Sequence, residues 1–270
     1  MVTTPFICSA CGTQFSETTE PPLSCPICED SRQFVPPGGQ QWTTLEHLRR
    51  EHRNSFRQYE GALLGIGTTP EFAIGQRALL LRSAYGNFLW DCIPFFDDAT
   101  CEIVRALGGL RGIAISHPHY YSTMVEWSRA FDDAPIYLHA DDREWVMRPN
   151  ESIEFWEGRQ KELAPGVTLI HCGGHFAGGT VLHWREGSNG NGALLSGDVV
   201  AVGANRTVSF MYSYPNIIPL PASAVRKIAQ ALEPFSCERV YGAFWERVVL
   251  RDGKKVVAGS VHRYFKAIGR

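Results

Sequence analysis

Three polar motifs stand at the ends of apolar, strand-like runs, and this placement constrains the fold more than any other feature of the sequence. Ser116-His117-Pro118-His119-Tyr120-Tyr121 follows GIAI, GGHFAGG sets His175 among glycines ahead of TVLHW, and LLSGDVV puts Asp198 immediately after an apolar strand. Residues two apart in extended backbone project to the same side, so His117 and His119 are expected to converge just past a strand end. Neutral imidazole and carboxylate suit Zn, Fe or Mn, and three His plus one Asp at one sheet edge would hold a single ion with room for water. A lone His is usually structural; the joint arrangement is what points to metal.

A second constraint lies at the N-terminus. Cys8-x-x-Cys11 and Cys25-x-x-Cys28 form two knuckles, whereas Cys92, Cys101, Cys172 and Cys237 are scattered singly. A two-residue gap lets both thiolates of a pair turn onto one ion at Zn–S distances near ~2.3 Å, and two pairs complete a tetrahedron. Gly12 after the first pair and Pro26 inside the second supply the tight bends. Two disulfides are the alternative, disfavoured because the start of the chain lacks an export signal. Four thiolates accept Zn or Fe alike, so a structural zinc clip and an iron electron carrier both remain readings, with zinc favoured. His47 and His52 would leave two thiols unpartnered if they joined one pair. A ~35-residue segment buries too little surface to fold alone, so its metal is expected to be architectural.

VPPGGQQW at 35–42 reads as a linker, and Thr43 with Glu46 fits a capping box opening a basic helix through LEHLRREHRNSF. The expected organisation is a four-cysteine module at residues 1–37, linker and helix at 38–60, and a larger domain at 61–270. In that domain FAIG, ALLLRS, NFLWDCI, GIAIS, PIYLH, VTLIHC, TVLHW, ALLSGDVV and RVYGAF read as strands. IVRAL, TMVEWSRAF, DDREWVM, SAVRKIAQAL and SVHRYFKAI read as helices, an α/β order. GSNGNG at 187–192 suits a hairpin turn.

These motifs, taken in order, resemble the metallo-β-lactamase-fold superfamily across roughly residues 60–270. GNFLWD ending in Asp91, GIAISHPH, GGHFAGGTVLHW and LLSGDVV carry the resemblance, and residues 1–37 look like a zinc ribbon or shortened rubredoxin-like knuckle pair. The resemblance implies an αββα sandwich preceded by the small ribbon, with ligand roles on His117, His119, His175 and Asp198. The usual first motif, H-x-H-x-D-H, continues here as His119, Tyr120, Tyr121, Ser122, so an Asp and a His are missing. The later Gly-His is replaced by Gly242 with Ala243 and Phe244, and His262 lies on the following helix. The implied site is therefore mononuclear.

One ion still polarises a carbonyl and acidifies water. The reading is a metal-dependent hydrolase of unknown substrate, with Asp198 orienting or deprotonating water and Tyr121 donating to a developing oxyanion. The alternative is a non-catalytic metal-binding or ligand-sensing protein. Asp91 is expected to hold the metal-loop backbone, His171 to stand behind the ligands or simply on its strand, and His139 and His183 to be structural. Arg206, Tyr212 and Tyr214 suit an anionic or aromatic small-molecule substrate, and the ribbon is expected to help dimerise the protein or cover the site. Lys plus Arg number 26 against 28 Asp plus Glu, a net charge of -2, so no basic field draws nucleic acid. With no apolar run near the ~18 residues of a membrane span, no membrane partner and a cytoplasmic location are expected.

Overall fold

Leu79, Leu80 and Leu81 are buried on both faces of one strand, Arg77–Ser83, as befits the middle of a covered sheet. The computed structural model describes residues 3–269. They form two compact units, one running to Leu138 and resuming over Arg143–Phe155, the other made of His139–Asp142 and the chain from Trp156 onward.

In the first unit a seven-stranded sheet runs in the order Ile153–Trp156, Ile136–His139, Gly112–Ala114, Gly86–Trp90, Arg77–Ser83, Leu63–Thr69, Arg53–Glu60. Gly86–Trp90, Gly112–Ala114 and Ile136–His139 are parallel neighbours, and parallel pairing demands a crossover. Helices Asp98–Ala106 and Met124–Ala130 supply the two crossovers. Asp97 caps the first of them, its carboxylate accepting from Thr100 N–H at 2.8 Å.

The N-terminal segment adds a three-stranded sheet, Gln14–Thr18, Thr4–Cys8 and Trp42–Thr43. The end of the expected linker is thus paired, Trp42 opposite Cys8. The expected capping box shifts by one residue: Thr44 accepts from His47 N–H, and the helix is confined to Leu45–Glu51. The residues after it form the edge strand Arg53–Glu60, hairpinned with Leu63–Thr69. FAIG lies in a turn rather than a strand.

The second unit holds a six-stranded sheet: Gln160–Ala164, Val167–His171, Thr180–Trp184, Ala193–Gly197, Arg239–Gly242, Val248–Val249. It is antiparallel except where Ala193–Gly197 meets Arg239–Gly242, and helix Ala222–Leu232 lies in that connection. The GSNGNG segment joins two antiparallel strands as expected, with Ser188 and Asn189 in the left-handed region. Val181, Leu194, Phe210, Val225, Ile228 and Val240 belong to its core. Among the described residues no helix is long and apolar enough to cross a membrane.

Candidate metal centre

The first motif is set by a turn. Asp91, at the end of Gly86–Trp90, adopts φ +60° and accepts a hydrogen bond from Ser116 N–H at 2.7 Å, the backbone-holding role expected of it. Ser116 Oγ lies 2.8 Å from His117 Nδ1. His117 is extended, but Pro118 then opens a tight turn through Tyr120. The His117 and His119 rings therefore approach, centroids 5.1 Å apart, by a turn and not by the strand alternation anticipated from spacing. His117, His119, Tyr120 and Tyr121 are all buried.

His175 and Asp198 lie in the second unit. His175 lies in the loop 172–179, between Val167–His171 and Thr180–Trp184. Gly179 permits the loop to close, because a Cβ there would sit 2.5 Å from the Gly173 carbonyl oxygen. His175 is buried, and its Nδ1 lies 3.1 Å from the Met211 carbonyl. A carbonyl only accepts, so Nδ1 carries the proton and Nε2 the lone pair, the tautomer that ligates through Nε2. Asp198 follows Ala193–Gly197 and is buried. Tyr214 connects the two: its ring is edge-on to His175 at 5.5 Å and its hydroxyl donates to the Asp198 carbonyl at 2.8 Å. Burial first, and then the Asp198 charge, push the Tyr214 phenol well above its usual range. Arg206 is exposed on a turn and His262 on a helix.

His139 and His183 have structural partners, the carbonyls of Gly158 at 3.3 Å and Ser236 at 2.9 Å. Burial lowers the pKa of both.

The four knuckle cysteines are gathered and buried, with ligand atoms within 4.8 Å of one another. The close contacts cross between knuckles: Cys8 Sγ to Cys28 Sγ is 3.5 Å and Cys11 Sγ to Cys25 Sγ is 3.7 Å. Four sulfurs at ~2.3 Å from a central zinc stand about 3.8 Å apart, whereas a disulfide requires ~2.05 Å. The spacing fits an ion. Gly12 turns the first knuckle at φ +80° with its N–H on the Cys8 carbonyl, and Pro26 opens the short helix of the second. Gln40 Nε2 donates to Cys8 Sγ at 3.0 Å. Bonds from the other three thiols pull Cys8 far below the thiol range while Cys11 is pushed well up. Sequence reasoning missed Gln40, which lay in the presumed linker.

No family model matches the chain. It is 50% identical over 266 residues to the uncharacterized protein YmaE of Bacillus subtilis, spanning 97% of this chain and 96% of that one. Among solved structures it is similar to the metallo-β-lactamase SMB-1, crystallised with mercaptoacetic acid, at TM-score 0.54 and 17% identity over 77% of this chain and 93% of that one. The metallo-β-lactamase DIM-1 gives TM-score 0.56 and 15% identity over 77% and 98%. At such identities the likeness establishes the fold, which is the α/β fold of metallo-β-lactamases, with a four-cysteine cluster near the N-terminus.

Proposed function

The chain belongs to the same family as Bacillus subtilis YmaE, and on that premise we propose that it is a metal-dependent hydrolase with one ion held by His117, His119, His175 and Asp198. The observation that carries the reading is the His175 tautomer, fixed by the Met211 carbonyl with the lone pair on Nε2. The Ser116 hydroxyl, 2.8 Å from His117 Nδ1, supports it by orienting that ring, since partners on the far nitrogen orient ligating imidazoles. Three imidazoles and a carboxylate are a donor set that zinc accepts, and manganese or iron as well.

A divalent ion held there would supply Lewis acidity and acidify water near neutral pH. The chain's own groups do the rest. With one oxygen on the ion, the second oxygen of the Asp198 carboxylate would orient the attacking water and take its proton, and the Tyr121 hydroxyl would donate to the oxyanion that develops on the substrate. Asp198→Asn and Tyr121→Phe are each expected to lower turnover at least tenfold. The knuckle cysteines hold a second, structural zinc and make the N-terminal module a zinc ribbon.

The test is metal content per chain on protein purified without added metal. Two ions are expected, falling to one in His117→Ala plus His119→Ala. One ion in both samples sinks the assignment. Hydrolysis of ester, thioester, phosphodiester and lactam panels by the two-ion protein, abolished in the double variant, separates an enzyme from a metal-binding protein without turnover.

A further inference from the structure

His139, Asp141 and His171, all in the second unit, form another group with the composition of a metal site. Asp141 Oδ2 lies 3.6 Å from His139 Nδ1 and 3.7 Å from His171 Nε2. The two rings, however, are stacked face to face, centroids 3.8 Å apart and planes 17° from parallel. Imidazole lone pairs lie in the ring plane, so two parallel rings do not both aim at one ion. The ring nitrogens are also engaged elsewhere. His139 Nε2 faces the Gly158 carbonyl at 3.3 Å, its Nδ1 accepts from Asp141 N–H at 3.3 Å, and His171 Nε2 faces the Ala177 carbonyl at 2.8 Å. Since carbonyls only accept, both rings carry the proton on Nε2.

Ala177 lies two residues beyond His175, and the next residue is held as well. Gly178 N–H donates to Asp142 Oδ1 at 2.7 Å. The approach is so close that a Cβ on Gly178 would stand 2.8 Å from the Asp142 carboxyl carbon and 2.9 Å from His139 Cβ. The loop contains Gly173 and Gly174, both at positive φ, together with Gly178 and Gly179. So glycine-rich a backbone does little to fix its own path.

We propose that His171 and Asp142 are positioning residues: they clamp Ala177 and Gly178 and so set where His175 presents Nε2, with His139 the platform on which the His171 ring is stacked. The inference rests on the reading of His175 as an ion ligand. It gives the group around Asp141 a mechanical role and adds no third ion to the chain.

The experiment uses full-length protein and zinc. His171→Phe keeps the stack but removes the donor; Asp142→Ala removes the acceptor; Asp142→Asn keeps an acceptor oxygen. Competition with a chromophoric chelator measures zinc at the histidine site, with the four-thiolate zinc as internal control, and amide exchange reports Gly178 N–H. His171→Phe and Asp142→Ala should each weaken zinc 10- to 100-fold at the histidine site alone and speed Gly178 exchange at least tenfold. Asp142→Asn should stay within about threefold of wild type. Wild-type zinc affinity and unchanged exchange in the first two variants overturn the clamp while leaving the proposed function standing. A wild-type protein without zinc at the histidines overturns the proposed function instead; exchange at Gly178 then decides the clamp, and unchanged exchange refutes it.

Discussion

The Tyr214 hydroxyl donates to the main-chain carbonyl of Asp198 at 2.8 Å, while the same ring stands edge-on to His175. One side chain thus ties two of the expected ligands of the second unit to each other. Tyr214→Phe keeps the ring contact and deletes the hydrogen bond, leaving a carbonyl without that donor. The expected cost is about 1 kcal/mol, read as a fall of roughly 2–4 °C in Tm. A larger fall would mean that the phenol organises more than this bond.

How much of this was legible beforehand depended on whether the signal was local. Apolar runs marked most strands of both sheets, and the Cys spacing marked the knuckles, because each is a pattern of neighbours in sequence. The first half of the edge strand Arg53–Glu60, up to Phe56, was misread as the end of a helix because Arg53 and Ser55 are exposed and polar; a polar row that protects a sheet edge looks like a solvated helix face. Leu63–Thr69, with Gly65 and Gly67, hid its pairing behind weak strand formers. In the first motif the pairing of His117 with His119 was foreseen but its cause was not, since Pro118 replaces strand geometry with a turn. Asp142 gave no signal at all, because its partner is a backbone amide 36 residues away.

Stability should fall in mild acid. His139 and His183 have lowered pKa values in the folded chain, burial being the main cause for each. Between those values and about 6.5 the unfolded chain binds protons that the folded chain does not, so stability is lost as pH drops below about 6.5 and retained above it. The urea midpoint should be lower at pH 5.5 than at pH 7.5. His183→Gln, which can still donate to Ser236 and does not titrate, should reduce that difference; an unchanged difference would remove His183 from the explanation.

Arg148 is buried against three acceptors. Its Nη1 bonds Gln14 Oε1 and lies 2.5 Å from Glu126 Oε1, and its Nη2 lies 3.4 Å from Glu17 Oε1. Gln14 and Glu17 belong to the strand Gln14–Thr18 beside the cysteine cluster, so this network fastens the N-terminal sheet within its unit. Arg148→Ala leaves Glu126 without its cation and should cost about 3 kcal/mol by denaturant unfolding. Lysine carries the charge but not the fork, so Arg148→Lys should recover less than half of that loss.

Gly12 and Gly39 separate two costs of replacing glycine near the cysteine cluster. Both are left-handed, at φ +80° and +83°, so alanine pays a similar backbone penalty of about 1 kcal/mol at either position. Nothing lies within 4 Å of a Cβ at Gly39, but at Gly12 it would meet Pro94 Cγ at 2.4 Å and Ala73 Cβ at 3.2 Å. Pro94 is a rigid ring and cannot rotate away, so the backbone of the first knuckle must move, adding roughly 1–3 kcal/mol. Gly12→Ala should therefore destabilise by about 2–4 kcal/mol and Gly39→Ala by about 1 kcal/mol. Because Gly12 N–H bonds the Cys8 carbonyl, only the first should also loosen zinc from the four thiolates. Equal effects of the two substitutions on stability and on zinc release by a chelator would show that the Pro94 contact constrains nothing.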